Sequence, residues 1–194
     1  MDTLLGLNDW AVAEAIGPVL YDAGYNVYVK LVYEDDVVDF AMLVGDWTVD
    51  DVFLYLGHGC NGKLALPYRH PREGYRHVEA AEFPLGSRKF KIVHLTACAS
   101  GGDCGPSCGN WLDSFIGLPS CAPSQQFQDD WSRHLLGNLG GGLVGYVTPV
   151  RTVTANSDLY GFVHSLAAGL TVAESFLVLN GDFYFRGDPR TTLR

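Results

Sequence analysis

Two segments of the chain decide its fold: DVFLYLGHG, from Asp51 to Gly59, and KIVHLTACAS, from Lys91 to Ser100. Each has a short, mostly apolar run typical of a buried strand, and each run ends at one reactive side chain. That side chain is His58 in the first segment and Cys98 in the second. Because the carboxyl ends of parallel strands meet at one edge of an open sheet, we expect these two residues to lie near each other.

The rest of the chain alternates helix-like and strand-like segments, which predicts an α/β fold. We expect a three-layer α/β/α sandwich with a mostly parallel sheet of five or six strands. The predicted helices cover residues 8–23, interrupted at Pro18, then 36–44, 127–135 and 159–166, with one more beginning at the Thr171-x-x-Glu174 capping box. The predicted strands cover 27–33, 52–56, 92–96, 142–147 and 183–185. Residues 60–90 and 99–123 are expected to be long loops beside the site.

Length and charge bound the class of protein. A chain of 194 residues fits one domain with a substantial core, and its formal net charge is −9. This charge argues against nucleic acid as a partner and favours a basic substrate through long-range attraction, although solubility alone also explains it. No run reaches the ~18 apolar residues of a membrane span. The amino terminus lacks the basic region of a secretory signal, which leaves the location open.

The candidate site residues each have a plainer interpretation. A thiolate attacks as a nucleophile and needs an imidazole to manage its proton, which suits Cys98 and His58. An isolated cysteine is more often a buried core thiol, and an isolated histidine is more often a structural residue. The glycines on either side of His58 and the small residues after Cys98 favour the catalytic interpretation. His94, within the strand before Cys98, is predicted to be a core residue.

Four further cysteines are left without an assigned role: Cys60, Cys104, Cys108 and Cys121. A chain of this size does not need disulfides, so thiols, a disulfide and a closed four-thiolate zinc site all stay open. The zinc or thiol-redox interpretation depends on the Cys-x3-Cys spacing of Cys104 and Cys108.

The dipeptides His-Gly and Ala-Cys, each closing an apolar strand, resemble those of the caspase-like cysteine peptidases, which include caspases, legumains, clostripain and gingipains. Three later segments are similar to the gingipain-like branch. They are GGGLVGYVTPVR (Gly140–Arg151), LYGFVHSLAAGLTVAESF (Leu159–Phe176) and FRGDPRTTL (Phe185–Leu193). The resemblance covers roughly residues 25–194.

The chain departs from the family pattern in three places. The first strand is short or missing, since only Thr3–Leu7 could supply it. Thr96 stands where relatives with charged-residue specificity often carry Asp, Glu or Gln. The CGPSC segment, from Cys104 to Cys108, is not expected in the family.

The resemblance implies a single caspase-like domain over residues 1–194. It implies a cysteine endopeptidase that forms an acyl-enzyme on Cys98, with His58 as general acid/base and no cofactor or metal. The backbone N–H groups of Gly59 and Cys98 would form the oxyanion hole. The alternative is a caspase-like domain with little or no activity that binds a peptide or protein partner.

The substrate is expected to be a peptide or protein, and three residues are candidates for binding it. Asp103 and Asp158 would suit a basic side chain before the scissile bond, and Arg151 would suit an acidic one. Oligomeric state is left open.

Overall fold

The computed structural model describes residues 6–27, 52–67, 75–83, 90–104, 121–136, 141–148, 150 and 152–193. Its helices are α1 (Gly6–Asp22), α2 (Gln125–Leu135), α3 (Thr152–Ala167) and α4 (Val172–Phe176). Its strands are β1 (Val52–Cys60), β2 (Lys63–Pro67), β3 (Tyr75–Val78), β4 (Ile92–Ala97), β5 (Gly102–Asp103), β6 (Ala122–Pro123), β7 (Gly142–Tyr146) and β8 (Phe183–Gly187). The predicted helix 36–44 and nearly all of the predicted strand 27–33 lie outside the described residues.

Six of these strands form one sheet in the order β3-β2-β1-β4-β7-β8. The central neighbours β1, β4 and β7 pair in parallel, and the β1–β2, β2–β3 and β7–β8 pairs are antiparallel. Since β3 is antiparallel to β2, it runs in the direction of the central strands, and only β2 and β8 run the other way. The predicted α/β fold with a mostly parallel sheet of up to six strands is therefore confirmed.

The side chains of β4 alternate between two apolar cores, one on each face of the sheet. Val93, Leu95 and Ala97 pack on the face covered by α2, where Trp131 and Leu135 are fully buried. The opposite face is covered by α1 and α3; its buried members are Val12, Ile16, Leu20, Ile92, Val144, Leu159, Phe162, Val163, Leu166, Val172 and Leu193. Every residue of β4 is buried, because both faces of this central strand are covered.

The strand that carries His58 is longer than predicted. Sequence placed its end at Leu56, whereas β1 continues to Cys60 and its last three residues pair with β2. The cause is a hairpin turn at Asn61-Gly62, where both residues have positive φ, 47° and 71°. Asn-Gly is the preferred pair for such a two-residue turn. The prediction that residues 60–90 form a long loop was therefore wrong for β2 and β3.

Two other expectations concern the amino-terminal helix. The helix α1 runs through Pro18 without interruption, and it buries Val12, Ile16 and Leu20 against the sheet on both sides of the proline. This burial offsets the hydrogen bond that proline removes. Gly6 begins this helix, so the last two residues of Thr3–Leu7 are helical and do not supply the missing first strand; residues 1–5 lie outside the described part.

The predicted capping box at the start of α4 is confirmed. The side-chain oxygen of Thr171 accepts a hydrogen bond from the backbone N–H of Glu174, and the Glu174 carboxylate accepts one from the Thr171 N–H at 2.8 Å. This reciprocal pair satisfies two of the N–H groups that a helix start leaves open.

Candidate functional site

The register of two parallel strands brings His58 and Cys98 together. Gly57 of β1 is the partner of Ala97 of β4, so His58 and Cys98 follow at the same level of neighbouring strands. Such strands lie about 4.8 Å apart. Because side chains alternate along a strand, both residues belong to the face that carries Leu54, Leu56 and Ile92, beneath α1 and α3. The structure thus joins the two residues on which the sequence analysis depends.

The sulfur of Cys98 lies beside the backbone of Val150. The N–H of Val150 donates to Sγ at an N–S distance of 3.3 Å, and the Cys98 thiol donates to the Val150 carbonyl oxygen at 3.6 Å. The N–H donor favours the thiolate, whereas the carbonyl acceptor favours the thiol. Val150 comes from the segment after β7, so a third strand contributes to this site. The sequence analysis did not single it out, since nothing in the residue type signals a contact made by its backbone.

A tight turn follows Cys98 at once. Ala99 has a φ of 49°, which is uncommon for a residue with a β carbon and costs about 1 kcal/mol or more. The surroundings hold it there: its N–H donates to the carbonyl of Thr148 at 3.3 Å, and its carbonyl accepts from Gly62 at 2.9 Å. Strained residues that persist in this way are common at functional sites.

His58 is partly buried, and it is held neutral. Burial, and to a smaller degree the nearby His77, lowers the pKa of His58 to about 2. Strand pairing explains why His77 is close to His58: both residues are paired with Ala65 of β2, His58 from β1 and His77 from β3. The backbone of His58 is also tied down, since the hydroxyl of Tyr55 donates to its carbonyl at 3.1 Å. At neutral pH the imidazole is therefore uncharged, and its burial opposes protonation.

Gly59 lies directly against the candidate nucleophile. A β carbon at this position would be 2.5 Å from the carbonyl oxygen of Cys98 and 2.8 Å from the β carbon of Ala97. Glycine is the one residue that permits this approach. The two residues predicted to supply the oxyanion hole, Gly59 and Cys98, are thus in backbone contact.

The three predicted substrate-binding residues have different positions. Asp103 is exposed on β5. Asp158 is on α3 with only 1% of its surface exposed, and its carboxylate accepts hydrogen bonds from Tyr146 and Asn180. Arg151 lies outside the described residues. The structure therefore places Asp158 inside the protein, where the sequence analysis expected a group facing substrate.

One disulfide is present among the described cysteines, between Cys104 and Cys121. It joins the end of β5 to the start of β6, and the Cys104 N–H donates to the Asn61 side chain at 2.7 Å. This bond rules out the four-thiolate zinc site, because two of its four thiols are bonded to each other. In the part of the chain that the structure describes, no three His, Cys, Asp or Glu residues are grouped to hold a metal. Cys108 lies outside that part.

His94 is a core residue, as predicted. It is fully buried, its ring lies 4.7 Å from that of Phe162, and its Nδ1 is 2.8 Å from the Thr96 hydroxyl. Burial lowers the pKa of His94 to about 3, so it stays neutral.

No protein-family model matches the chain, and no curated protein matches its sequence significantly. No helix within the described ranges is both long and apolar enough to cross a membrane.

Proposed function

We propose that this protein is a caspase-like cysteine endopeptidase of the gingipain-like branch, with Cys98 as nucleophile and His58 as its proton acceptor and donor. The observation that carries the proposal is the Gly57–Ala97 register, which sets His58 beside Cys98 at the carboxyl ends of two central parallel strands. The motifs after Cys98 in the sequence support the same family.

The reaction begins with transfer of the Cys98 thiol proton to the neutral imidazole of His58. The thiolate attacks the carbonyl carbon of the scissile bond, a C–S bond forms, and the carbonyl oxygen becomes an oxyanion. The N–H groups of Gly59 and Cys98 bind that oxygen, at about 3 kcal/mol for each donor. The C–N bond then breaks, and the leaving amine takes the proton from His58. Water hydrolyses the thioester and regenerates the thiol.

The burial of His58 sets the protonation state from which these proton transfers start. Its pKa of about 2 means that the resting site holds a neutral imidazole, not an imidazolium that forms an ion pair with a thiolate. In the proposed mechanism His58 takes the Cys98 proton before it donates to the leaving amine, and its burial makes that first transfer less favourable. The Val150 N–H at the sulfur favours that first step by stabilising the developing thiolate.

The same burial supports the second candidate function, a caspase-like domain that binds a peptide or protein partner and cleaves slowly or not at all. An imidazole that resists protonation this strongly is a weak proton acceptor for a thiol. In that case the carboxyl ends of β1 and β4 would still receive an extended peptide.

The experiment is a cleavage profile on a peptide library with wild-type protein and the variants Cys98→Ala, His58→Ala and Cys60→Ala. Cys60 is the matched control, since it lies two residues after His58 and outside the disulfide. We expect Cys98→Ala and His58→Ala each to abolish cleavage while the fold persists, and the double variant to be no worse than either. Wild-type turnover in Cys98→Ala would show that another nucleophile is responsible.

A thiol-directed alkylating probe distinguishes the two candidates when no peptide is cleaved. A peptidase site predicts fast modification of Cys98 near neutral pH that slows in His58→Ala, with Cys60 as the internal reference. A binding domain predicts equal, slow modification of Cys98 in both proteins.

A further inference from the structure

Asp158 is a buried carboxylate with an organised set of donors. It lies on α3 with 1% of its surface exposed. Its Oδ2 accepts the hydroxyl of Tyr146 at 2.9 Å, and its Oδ1 accepts both the backbone N–H of Asn180 at 3.1 Å and the Asn180 side-chain amide at 2.9 Å. A carboxylate this deeply buried is retained only when such partners compensate for its lost hydration.

The first of these partners leads to the turn after Cys98. The carbonyl of Tyr146 accepts the N–H of Gly101 at 3.0 Å and the hydroxyl of Ser100 at 3.4 Å. The Tyr146 ring is fixed against Phe183, with centroids 4.1 Å apart. Burial raises the pKa of Tyr146, and the Asp158 carboxylate that accepts its hydroxyl raises it further. Anchoring the Tyr146 hydroxyl therefore anchors the turn on which Cys98 sits.

The second partner leads to the segment over the Cys98 sulfur. Two residues after Asn180 comes Asp182. Its carbonyl accepts the N–H of Val147 at 2.7 Å, and its carboxylate accepts the Thr148 hydroxyl at 3.4 Å. Two residues after Thr148 comes Val150, whose N–H donates to the Cys98 sulfur. Fixing Asn180 therefore fixes the strand-end segment that supplies the donor to sulfur.

We propose that Asp158 is a positioning residue for Cys98, which acts through Tyr146 on one side and Asn180 on the other. It is not the acid of a substrate pocket, because its three hydrogen bonds come from within the protein and its surface is closed to solvent. The part of this inference that concerns turnover rests on the proposed peptidase function; the part that concerns the Cys98 thiol does not.

The first test therefore measures the thiol without any peptidase assay. The rate at which iodoacetamide alkylates Cys98 is followed by mass spectrometry from pH 6 to 10 in wild-type protein, Asp158→Ala, Asp158→Asn, Tyr146→Phe and the control Asp22→Asn. Asp22 is an exposed residue at the end of α1. Rates are expressed per folded molecule, with the folded fraction from circular dichroism.

We expect Asp158→Ala to move the inflection of this pH profile upward by about one unit, because the Val150 N–H is no longer held at the sulfur. Asp158→Asn should restore the wild-type profile or move it lower, since the amide keeps the acceptor for Asn180 and can donate to Tyr146. Asp22→Asn should match wild type. Tyr146→Phe removes only the hydrogen bond between Tyr146 and Asp158, so it should move the inflection upward by a smaller amount. This variant replaces Asp158→Ala in the test if Asp158→Ala fails to fold. Wild-type profiles in both Asp158→Ala and Tyr146→Phe would overturn the proposal.

The second test separates positioning from substrate binding. Where wild-type protein cleaves peptides, kcat and KM are measured for Asp158→Asn with Arg and Ala peptides of otherwise identical sequence. A positioning role predicts that any change falls on kcat by the same factor for both peptides. A selective loss of kcat/KM for the Arg peptide, of about 100-fold or more, would identify Asp158 as a pocket acid and overturn the proposal. A wild-type protein that cleaves nothing removes the peptidase function alone, and the alkylation profile still decides the role of Asp158.

Discussion

Gly59 packs so closely against Cys98 that a β carbon on Gly59 would lie only 2.5 Å from the carbonyl oxygen of Cys98. The strand that carries His58 and the strand that carries Cys98 therefore meet through bare backbone at the candidate site. This contact lies just beyond Gly57–Ala97, the last residue pair between β1 and β4. Gly59 is therefore a position of the candidate site that has no room for a side chain.

Gly59→Ala should therefore abolish cleavage and lower the free energy of unfolding by about 1–3 kcal/mol, because the added methyl group must push the Cys98 backbone away. The matched control is Gly161→Ala in α3, where the nearest atom to a new β carbon is 3.4 Å away. That variant should fold and cleave like wild type, with a gain of about 0.5–1 kcal/mol from better helix propensity. Urea unfolding and peptide turnover measure both. A fully active Gly59→Ala would contradict the proposed oxyanion hole.

Tyr55→Phe removes the hydroxyl that donates to the carbonyl of His58 at 3.1 Å and keeps the ring. A partly buried hydrogen bond of this kind is worth about 1 kcal/mol, so we expect kcat to fall about fivefold with KM nearly unchanged. Tyr21→Phe serves as the control, because that side chain is 71% exposed on α1. Equal kcat values for Tyr55→Phe and Tyr21→Phe would show that this bond does not position His58.

The stability of the protein should fall as the pH drops below about 6.5. The pKa of His58 is lowered to about 2 and that of His94 to about 3, whereas a histidine in the unfolded chain titrates near 6.5. Below pH 6.5 these two histidines bind protons in the unfolded state but not in the folded state. The free energy of unfolding therefore falls progressively as the pH drops. Each residue should cost about 2 kcal/mol between pH 6.5 and 5.

Urea unfolding at pH 7, 6 and 5 checks this dependence, and His94→Phe should flatten it by about half. The aromatic replacement keeps the contacts with Phe162 and Phe183, so the slope with pH is the informative quantity, not the value at neutral pH. A His94→Phe slope equal to that of wild type would show that His94 titrates normally in the folded protein.

Replacing Cys104 and Cys121 by serine should lower the free energy of unfolding by about 3 kcal/mol, since the disulfide closes a sequence separation of 17 residues. The loss should equal that caused by dithiothreitol in wild-type protein, and dithiothreitol should have no further effect on the double variant. Identical wild-type stability with and without reductant would show that the two cysteines are not bonded in solution.

Much of the fold was predictable from local patterns. The strands around His58 and Cys98, the helix that buries Trp131 and Leu135, and the Thr171 capping box depend on residues close together in the chain. The β1–β2 hairpin was not predicted, although Asn61-Gly62 is a pair typical of such a turn. Residues 60–90 were predicted to be a loop from their polar and proline-containing composition, and the two positive φ values show why Asn-Gly occurs at this turn.

By itself, the sequence determined that the chain alternates helices and strands and that a histidine and a cysteine end two buried segments, because those properties depend on nearest neighbours along the chain. Only the tertiary structure decided the register that makes His58 and Cys98 adjacent, the arrival of the Val150 N–H at the sulfur and the burial of Asp158 against Tyr146. These contacts join residues that are far apart in the chain. Backbone donors and buried carboxylates are recognised by where they lie, and residue type alone does not encode that position.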